Sequence, residues 1–373
     1  MSKVYLSRVW EYDTDEIKIR IEEGIEKLGG FDQFFTSGDK VLLKPNLLSA
    51  KSPERNITTH PVILEAVIDI LRKRGVEPYI GDSPGGAHKG VMRVFRETGL
   101  KELADRKEVE LVNYEVGGVK TVRRKGYTFK ISKAYLQFDK VINLPKFKTH
   151  SLTLLTGAIK NMFGVIPGFV KTGYHKQFPF PTEFSRFIAN LYDTVKDRIV
   201  LNIMDGIWGM EGNGPSSGES VNVGYLIVSA DGVAMDIVEA KLMGYKIHSI
   251  DMIKEAIRLG AGEGEDTLEL LGEPLIPIQN FKRATNTHFL NYFPRPIAQF
   301  LSRLIYIRPE VNIEKCTGCG MCYRSCPEKA IIMKDGIPTF DYSKCIVCLC
   351  CHELCPEKAI ELKKSFGARL VGR

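Results

Sequence analysis

Cysteine is missing from residues 1–315; all nine cysteines lie between Cys316 and Cys355. A secreted fold stapled by disulfides spreads its cysteines through the chain, so that class is excluded. The larger part of the protein has no thiol chemistry of its own. Long hydrophobic runs are missing too. No apolar stretch approaches the roughly 18 residues a membrane helix needs, and Met1-Ser2-Lys3-Val4-Tyr5-Leu6 holds no apolar signal core. Neither a membrane span nor secretion is expected, and a cytoplasmic location is. Nucleotide signatures are absent. Gly85-Gly86 is not followed by the Gly-Lys-Ser/Thr of a P-loop, and no Gly-x-Gly-x-x-Gly opens a helix after a strand. There is no HExxH and no GxSxG. No motif asks for NAD, flavin or ATP. Finally, Asp and Glu are missing from Lys140 to Thr182. These 43 residues carry Lys140, Lys146, Lys148, Lys160, Lys171 and Lys176, with His150 and His175. A solvated basic face is the plain explanation of a charge run, but such faces usually mix signs. One sign among glycines and apolar residues reads as the lining of an anion pocket.

What is present describes an ordinary globular protein: 373 residues, 44% hydrophobic and 26% charged, with a net charge of +7. That length suits one large domain or two unequal ones. Strand patterns at Lys3–Val9, Lys40–Leu43, Pro78–Gly81, Val109–Tyr114, Lys140–Leu144, Val200–Met204 and Tyr225–Ser229 alternate with helical ones. The helices are expected over Asp15–Leu28, Pro61–Arg74, Lys89–Glu97, Leu152–Phe163, Phe184–Val195, Val233–Met243 and Asp251–Leu259. Pro61 suits a first helical position and Gly75 a stop. The alternation predicts an α/β body with a mostly parallel or mixed sheet over residues 1–285, with antiparallel additions near Tyr127–Lys133. Residues 286–308 turn aromatic, Pro-interrupted and basic, and are expected to link or dock, with a short helix Ile297–Tyr306. Residues 309–365 form a second, small α+β domain, and 366–373 a tail.

That small domain repeats itself. Cys316-x2-Cys319-x2-Cys322-x3-Cys326-Pro327 returns 29 residues later as Cys345-x2-Cys348-x2-Cys351-x3-Cys355-Pro356, and Cys-Pro-Glu-Lys-Ala-Ile occurs in both copies. This is the spacing of bacterial ferredoxins, which it resembles. A cubane presents four iron corners; the two-residue gaps wrap three of them, and the fourth cysteine leads away toward the other cluster. Two [4Fe–4S] clusters are expected, one on Cys316, Cys319, Cys322 and Cys355, the other on Cys345, Cys348, Cys351 and Cys326. Paired zinc knuckles would sit across a longer gap. Gly318 and Gly320 in the first loop are read against Val347 and Cys350 in the second, so the second cluster is expected in a drier loop with a shifted potential. Cys350, the ninth cysteine, is read as a packed free thiol.

In the body, strand ends are where ligands gather. Lys44 and Asn46 follow one strand, Asp82 and Ser83 another, Lys146, Lys148 and His150 a third, and Asp205 with Glu211 a fourth. Lys44, Asn46, Lys146, Lys148 and Lys160 are candidates to hold a carboxylate or phosphate; His150, His175, Asp82 and Asp205 are candidates to move protons. Each also has a structural explanation, such as a turn cap.

The segments Val41-Leu42-Leu43-Lys44-Pro45-Asn46, Thr58-Thr59-His60-Pro61, Gly81-Asp82-Ser83-Pro84-Gly85 and Asn143-Leu144-Pro145-Lys146, with Lys148-Thr149-His150, resemble the prokaryotic family called domain of unknown function 362. So do Gly157–Gly164 and Met204-Asp205-Gly206. The resemblance spans about residues 1–275. It implies an iron–sulfur protein of anaerobic type and supplies no reaction. The expected function is an iron–sulfur oxidoreductase that relays single electrons to an anionic substrate in the body's basic cleft. The alternative is an electron-transfer protein whose body only docks a redox partner. Nucleic acid is not expected as a partner, because the basic strip lacks aromatic interleaving and any nucleic-acid motif.

Overall fold

The structure is a computed structural model and describes residues 1–85, 90–284 and 305–371. Among these residues, ten strands form one sheet. They are β1 (Ser2–Arg8), β2 (Lys40–Pro45), β3 (Glu77–Asp82), β4 (Glu110–Asn113), β7 (Lys140–Leu144), β8 (Lys146–His150), β9 (Leu154–Leu155), β10 (Ile199–Glu211), β11 (Glu219–Ser229) and β12 (Leu268–Gly272). The order is β12-β1-β11-β10-β7-β2-β3-β4, with β8 beside β10 and β9 beside β8. The run from β10 to β4 is parallel throughout. The long strand β11 lies antiparallel between β1 and β10. The expected mixed, mostly parallel sheet is therefore present. Strands β5 (Val119–Arg124) and β6 (Tyr127–Ser132) form the expected antiparallel addition as a separate hairpin.

Alternation along the strands divides the core in two. Val4, Leu6, Leu42, Val141 and Ile227 point into one hydrophobic cluster. Their neighbours Tyr5, Val41, Leu43, Ile142, Leu226 and Val228 point into the other. The period of two puts successive side chains on opposite faces, so both faces need cover. Helices α1 (Thr14–Lys27), α2 (Pro61–Lys73), α3 (Val91–Glu97) and α4 (Leu100–Arg106) cover one. The other is covered by α5 (Gly157–Asn161), α6 (Gly168–Gln177), α7 (Pro181–Val195), α8 (Gly232–Leu242) and α9 (Asp251–Arg258). No described helix is long and apolar enough to cross a membrane.

One expected helix is corrected. Leu152–Phe163 is not continuous: β9 comes first, Leu154 has φ 73° and Gly157 φ 60°. Left-handed residues end a right-handed helix, so only Gly157–Asn161 coils as α5, followed by a 3-10 turn over Met162–Val165. Asp236 of α8 accepts the N–H groups of Ala158 and Ile159, capping the short helix from across the layer. The expected linker helix Ile297–Tyr306 lies almost wholly outside the described residues.

The C-terminal domain is a small α+β unit. β13 (Ile307–Val311) pairs antiparallel with β16 (Ile360–Lys364), and β14 (Ile331–Lys334) with β15 (Ile337–Phe340). Cys322, Ile331, Cys351 and Ile360, equivalent residues of the two repeats, share its core. Phe366–Val371 ends the described chain as a helix.

Candidate functional site

The nine cysteines surround two cavities. One is lined by Cys316, Cys319, Cys322 and Cys355, the other by Cys326, Cys345, Cys348 and Cys351, with Cys350 beside them. Each thus takes three cysteines from one repeat and the fourth from the other. The N–H groups of Ala330 and Ala359 donate to Cys326 Sγ and Cys355 Sγ, both at 3.2 Å. A single tetrahedral ion needs its donors about 2.3 Å from one point, and no three Cys, His, Asp or Glu converge in that way among the described residues. Four thiols around a void suit a multi-iron group, whose corners lie apart.

The loops show a correction to the sequence alignment. Gly318 and Gly320 have φ 67° and 68°; Val347 and Leu349 have φ 53° and 63°. The counterpart of Gly320 is Leu349, and Cys350 matches Met321, the first residue of the short helix Met321–Ser325. Left-handed turns aim successive N–H groups inward, the geometry of an anion nest. The second loop keeps that geometry although a non-glycine residue there costs roughly 1–2 kcal/mol.

The two loops meet different surroundings. Cys319 and Tyr323 of the first are exposed, whereas Leu349, Cys350, Cys351, His352 and Glu353 of the second are buried. The body does the burying. Ser216 Oγ donates to Glu353 O (2.6 Å), Lys358 Nζ to Gly218 O (2.9 Å), and Lys51 Nζ to Pro356 O. Lys176 pairs with Glu328 at 3.3 Å. His150 accepts the N–H of Leu152 on Nδ1 (3.0 Å), so its proton sits on Nε2, which faces Glu353 Oε1 at 3.2 Å.

At this junction, beyond the carboxyl ends of β2 and β3, lies a cavity of about 80 Å³. Its body wall carries Asn46, Asp82, Lys148, Lys160, Lys171 and His175; its other wall is Cys350, Glu353 and Leu354 of the second cysteine repeat. Asp82 is already engaged: it pairs with Lys44 Nζ at 2.9 Å and accepts Leu47 N at 2.9 Å and Ser83 N at 2.8 Å. Gly164 packs so close to this pair that a Cβ would strike both partners. Lys148 Nζ donates to Asn46 Oδ1 and Ile57 O, each at 2.7 Å. From there a chain of buried carboxamides crosses the sheet. Asn46 donates to Asn161 (2.9 Å), Asn161 to Asn143 (2.8 Å), and Asn143 to Asn202 (2.9 Å). Each amide donates onward and accepts from behind, an aligned arrangement that strengthens its members and fixes α5, which bears Lys160.

Two groups in the cavity are unspent. Lys160 is partly buried and has no hydrogen bond or ion pair among the described residues; the carboxylate that attracts it is Glu353. His175 is 6% exposed, stacks on Phe184 at 4.3 Å, and leaves Nδ1 without a partner. Burial lowers the pKa of Lys148 and Lys160, takes Lys171 down to about 8 and His175 to about 3. Burial raises that of Glu353, against the pull of Lys160 and Lys148. Basic groups outnumber acidic ones in the lining: Lys148, Lys160 and Lys171 against Glu353 and the Lys44-paired Asp82.

Residues 41–241 match the model of the family described as Domain of unknown function (DUF362). The chain belongs to the DUF362 family. Residues 308–356 match a 4Fe-4S dicluster domain, so this DUF362 protein carries an iron–sulfur, ferredoxin-type electron-transfer domain at its C-terminal side. It is 33% identical over 262 residues to the thylakoid-associated protein sll1697 of Synechocystis, covering 70% of this chain and 80% of that one. A probable ferredoxin of Methanosarcina thermophila is 51% identical over 35 residues, 9% of this chain and 60% of its own. The lactate racemase apoprotein of Thermoanaerobacterium thermosaccharolyticum aligns with a TM-score of 0.43 at 11% identity, over 65% of this chain and 56% of that one. Nothing about activity follows from so partial a likeness.

The DUF362 body does not bring all the sequence candidates together. Asn46, Lys148, Lys160, Asp82 and His175 line the junction cavity. Lys44 stands behind Asp82, and His150 behind Glu353. Lys146 and Asp205 belong to another network. Lys146 Nζ reaches Asp205 Oδ2 and Tyr12 Oη, both at 2.8 Å, Tyr12 donates to Asp205 Oδ1 at 2.9 Å, and Tyr12 stacks on His60 at 3.7 Å. Asn46 bonds Asn161 and Lys148 rather than its own backbone turn. Sequence reasoning left Lys171, Asn161 and Glu353 unnamed as site residues. Lys171 lay within the acid-free strip; Glu353, between Cys351 and Cys355, gave no sign that it faces the body.

Proposed function

We propose that this DUF362 protein is an iron–sulfur oxidoreductase that relays single electrons through two [4Fe–4S] groups to a small anion held in the junction cavity. The observation that carries this reading is the shared wall: Cys350 lines both the second cysteine cavity and the junction cavity. When bound, such groups supply reversible one-electron chemistry. The crossed sets, Cys316, Cys319, Cys322 with Cys355 and Cys345, Cys348, Cys351 with Cys326, would hold them. The exposed first loop supports a surface where a redox partner delivers electrons; the buried second loop supports an internal exit.

The chain's own residues supply the rest. Lys160 and Lys171 attract the anion, and His175 Nδ1 offers one further polar contact. One water needs about 10–15 Å³, so a cavity of about 80 Å³ takes phosphate or a short carboxylate and is too small for a dinucleotide. Self-satisfied pairs such as Lys44–Asp82 and Lys146–Asp205 favour the second reading, a body that only docks a partner.

Re-oxidation of the reduced full-length protein by short oxo-acids and phosphate-bearing acceptors separates the two. The enzyme reading expects at least one to accelerate re-oxidation, and Lys160→Met to lose roughly tenfold of that effect, as expected for one charged hydrogen bond. Below about pH 8 Lys171 is protonated and attracts the anion; above it the charge is lost. The acceleration should therefore fall as pH rises through about 8. Re-oxidation indifferent to every anion leaves the docking module.

A further inference from the structure

We infer that Lys160 couples anion occupancy of the junction cavity to the redox state of the centre held by Cys326, Cys345, Cys348 and Cys351, so that the oxidised protein binds the anion more tightly than the reduced one. The inference rests on the reading just given and adds a regulation to it.

Three observations support it. The partition between the two cavities is thin, since Cys350, Glu353 and Leu354 face the junction cavity while Cys350 and Cys351 face the cysteine cavity. The Cys350 side chain is buried in this wall, 4% exposed, and lies against Cys348. Lys160 lines the same cavity as Glu353 and Cys350 and has no hydrogen bond or ion pair among the described residues. Charges on either side of a dry partition interact far more strongly than in water.

The consequence is electrostatic. One electron from an external reductant adds one negative charge behind the wall. It repels an anion in front and competes with it for the field of Lys160. No bond is made or broken; the anion returns to solvent with its charge. Linkage makes the effect reciprocal: whatever reduction takes from anion affinity, the bound anion takes from the tendency to be reduced. Coupling energies of this kind commonly change affinity 5- to 150-fold. An effect of about tenfold equals about 59 mV for a one-electron couple. The first centre, with Cys316, Cys319 and Cys322 on the other loop and only Cys355 beside the junction wall, should respond less.

The test uses the full-length, anaerobically reconstituted protein with inorganic phosphate and acetate as probes. Calorimetry gives anion affinity in the oxidised state and after dithionite. EPR-monitored redox titration at constant ionic strength gives both midpoints, with signals assigned by Cys355→Ala. We expect at least one probe to bind about tenfold more weakly after reduction, and the second midpoint to fall further than the first with rising anion, saturating near 59 mV. Lys160→Met should abolish the dependence and Lys160→Arg keep it. Equal affinity in both states, or equal shifts of both midpoints, overturns the inference and leaves the anion site standing. If neither probe binds in either state, or no iron–sulfur signal forms, the functional reading beneath it falls as well. The wild-type measurements decide the matter even if a Lys160 variant folds poorly.

Discussion

Replacing Cys326 by Ala is expected to remove the iron–sulfur centre of the other repeat. Iron content should drop to roughly half, since each centre holds four irons. The surviving EPR signal should be that of the centre on Cys316, Cys319, Cys322 and Cys355. The reverse should hold for Cys355→Ala, although Cys355 lies in the second repeat. The basis is the composition of the two cavities, each completed by the fourth cysteine of the opposite repeat, and the N–H donors of Ala330 and Ala359 that hold Cys326 Sγ and Cys355 Sγ in place. Were ligation confined within each repeat, Cys326→Ala would spare the second centre and destroy the first. Iron quantitation with EPR distinguishes the outcomes directly. Both variants should also lose stability, because Cys322, Cys351, Ile331 and Ile360 form a single small core and metal binding contributes to the folding of such domains.

The second large effect is expected at Asp205. Its side chain and that of Lys146 are both 0% exposed, 2.8 Å apart. Asp205 also accepts from Tyr12 Oη and from the backbone N–H of His60, each at 2.9 Å. Asp205→Ala leaves a buried ammonium without its counter-charge and the His60 backbone N–H without its acceptor, and removing one partner of such a pair costs about 3–5 kcal/mol. Denaturant unfolding should show that loss. The double variant Asp205→Ala with Lys146→Met should recover a good part of it, because no charge is then left unpaired. Anion affinity at the junction cavity should stay unchanged in the folded fraction, since neither residue lines that cavity. A variant Asp205→Ala that keeps its stability yet no longer responds to anions in re-oxidation would reverse this assignment and make Asp205 a catalytic group.

Much of the architecture was legible in the chain because local patterns and global fold agree. Alternating strands such as Val41-Leu42-Leu43 sort their side chains to the two core faces by the pleat alone. Four members of the acid-free strip, Lys148, Lys160, Lys171 and His175, line one cavity. Helix α5 was overestimated in length because its boundary is set by left-handed Leu154 and Gly157 and by a cap from Asp236, 78 residues away in sequence. Lys44 and Lys146 appeared as free cations because sequence spacing does not reveal that Asp82 and Asp205 lie within 3 Å of them.

The sequence by itself determined the chemistry of the C-terminal domain. Two CxxCxxCxxxCP runs leave a metal cluster as the group that suits so many closely spaced thiols, and that reasoning is largely local, since each loop supplies three of the four cysteines of its cavity. It also determined that strand ends rich in Lys, Asn and Asp would meet at one edge, because a parallel sheet aligns its carboxyl ends. Only the tertiary structure decided that the second cysteine loop, and not the first, is pressed against that edge. It did so through contacts between residues more than a hundred positions apart, such as Ser216 with Glu353 and Lys358 with Gly218. Docking of this kind depends on the complementarity of two finished surfaces, a property that appears once both have folded.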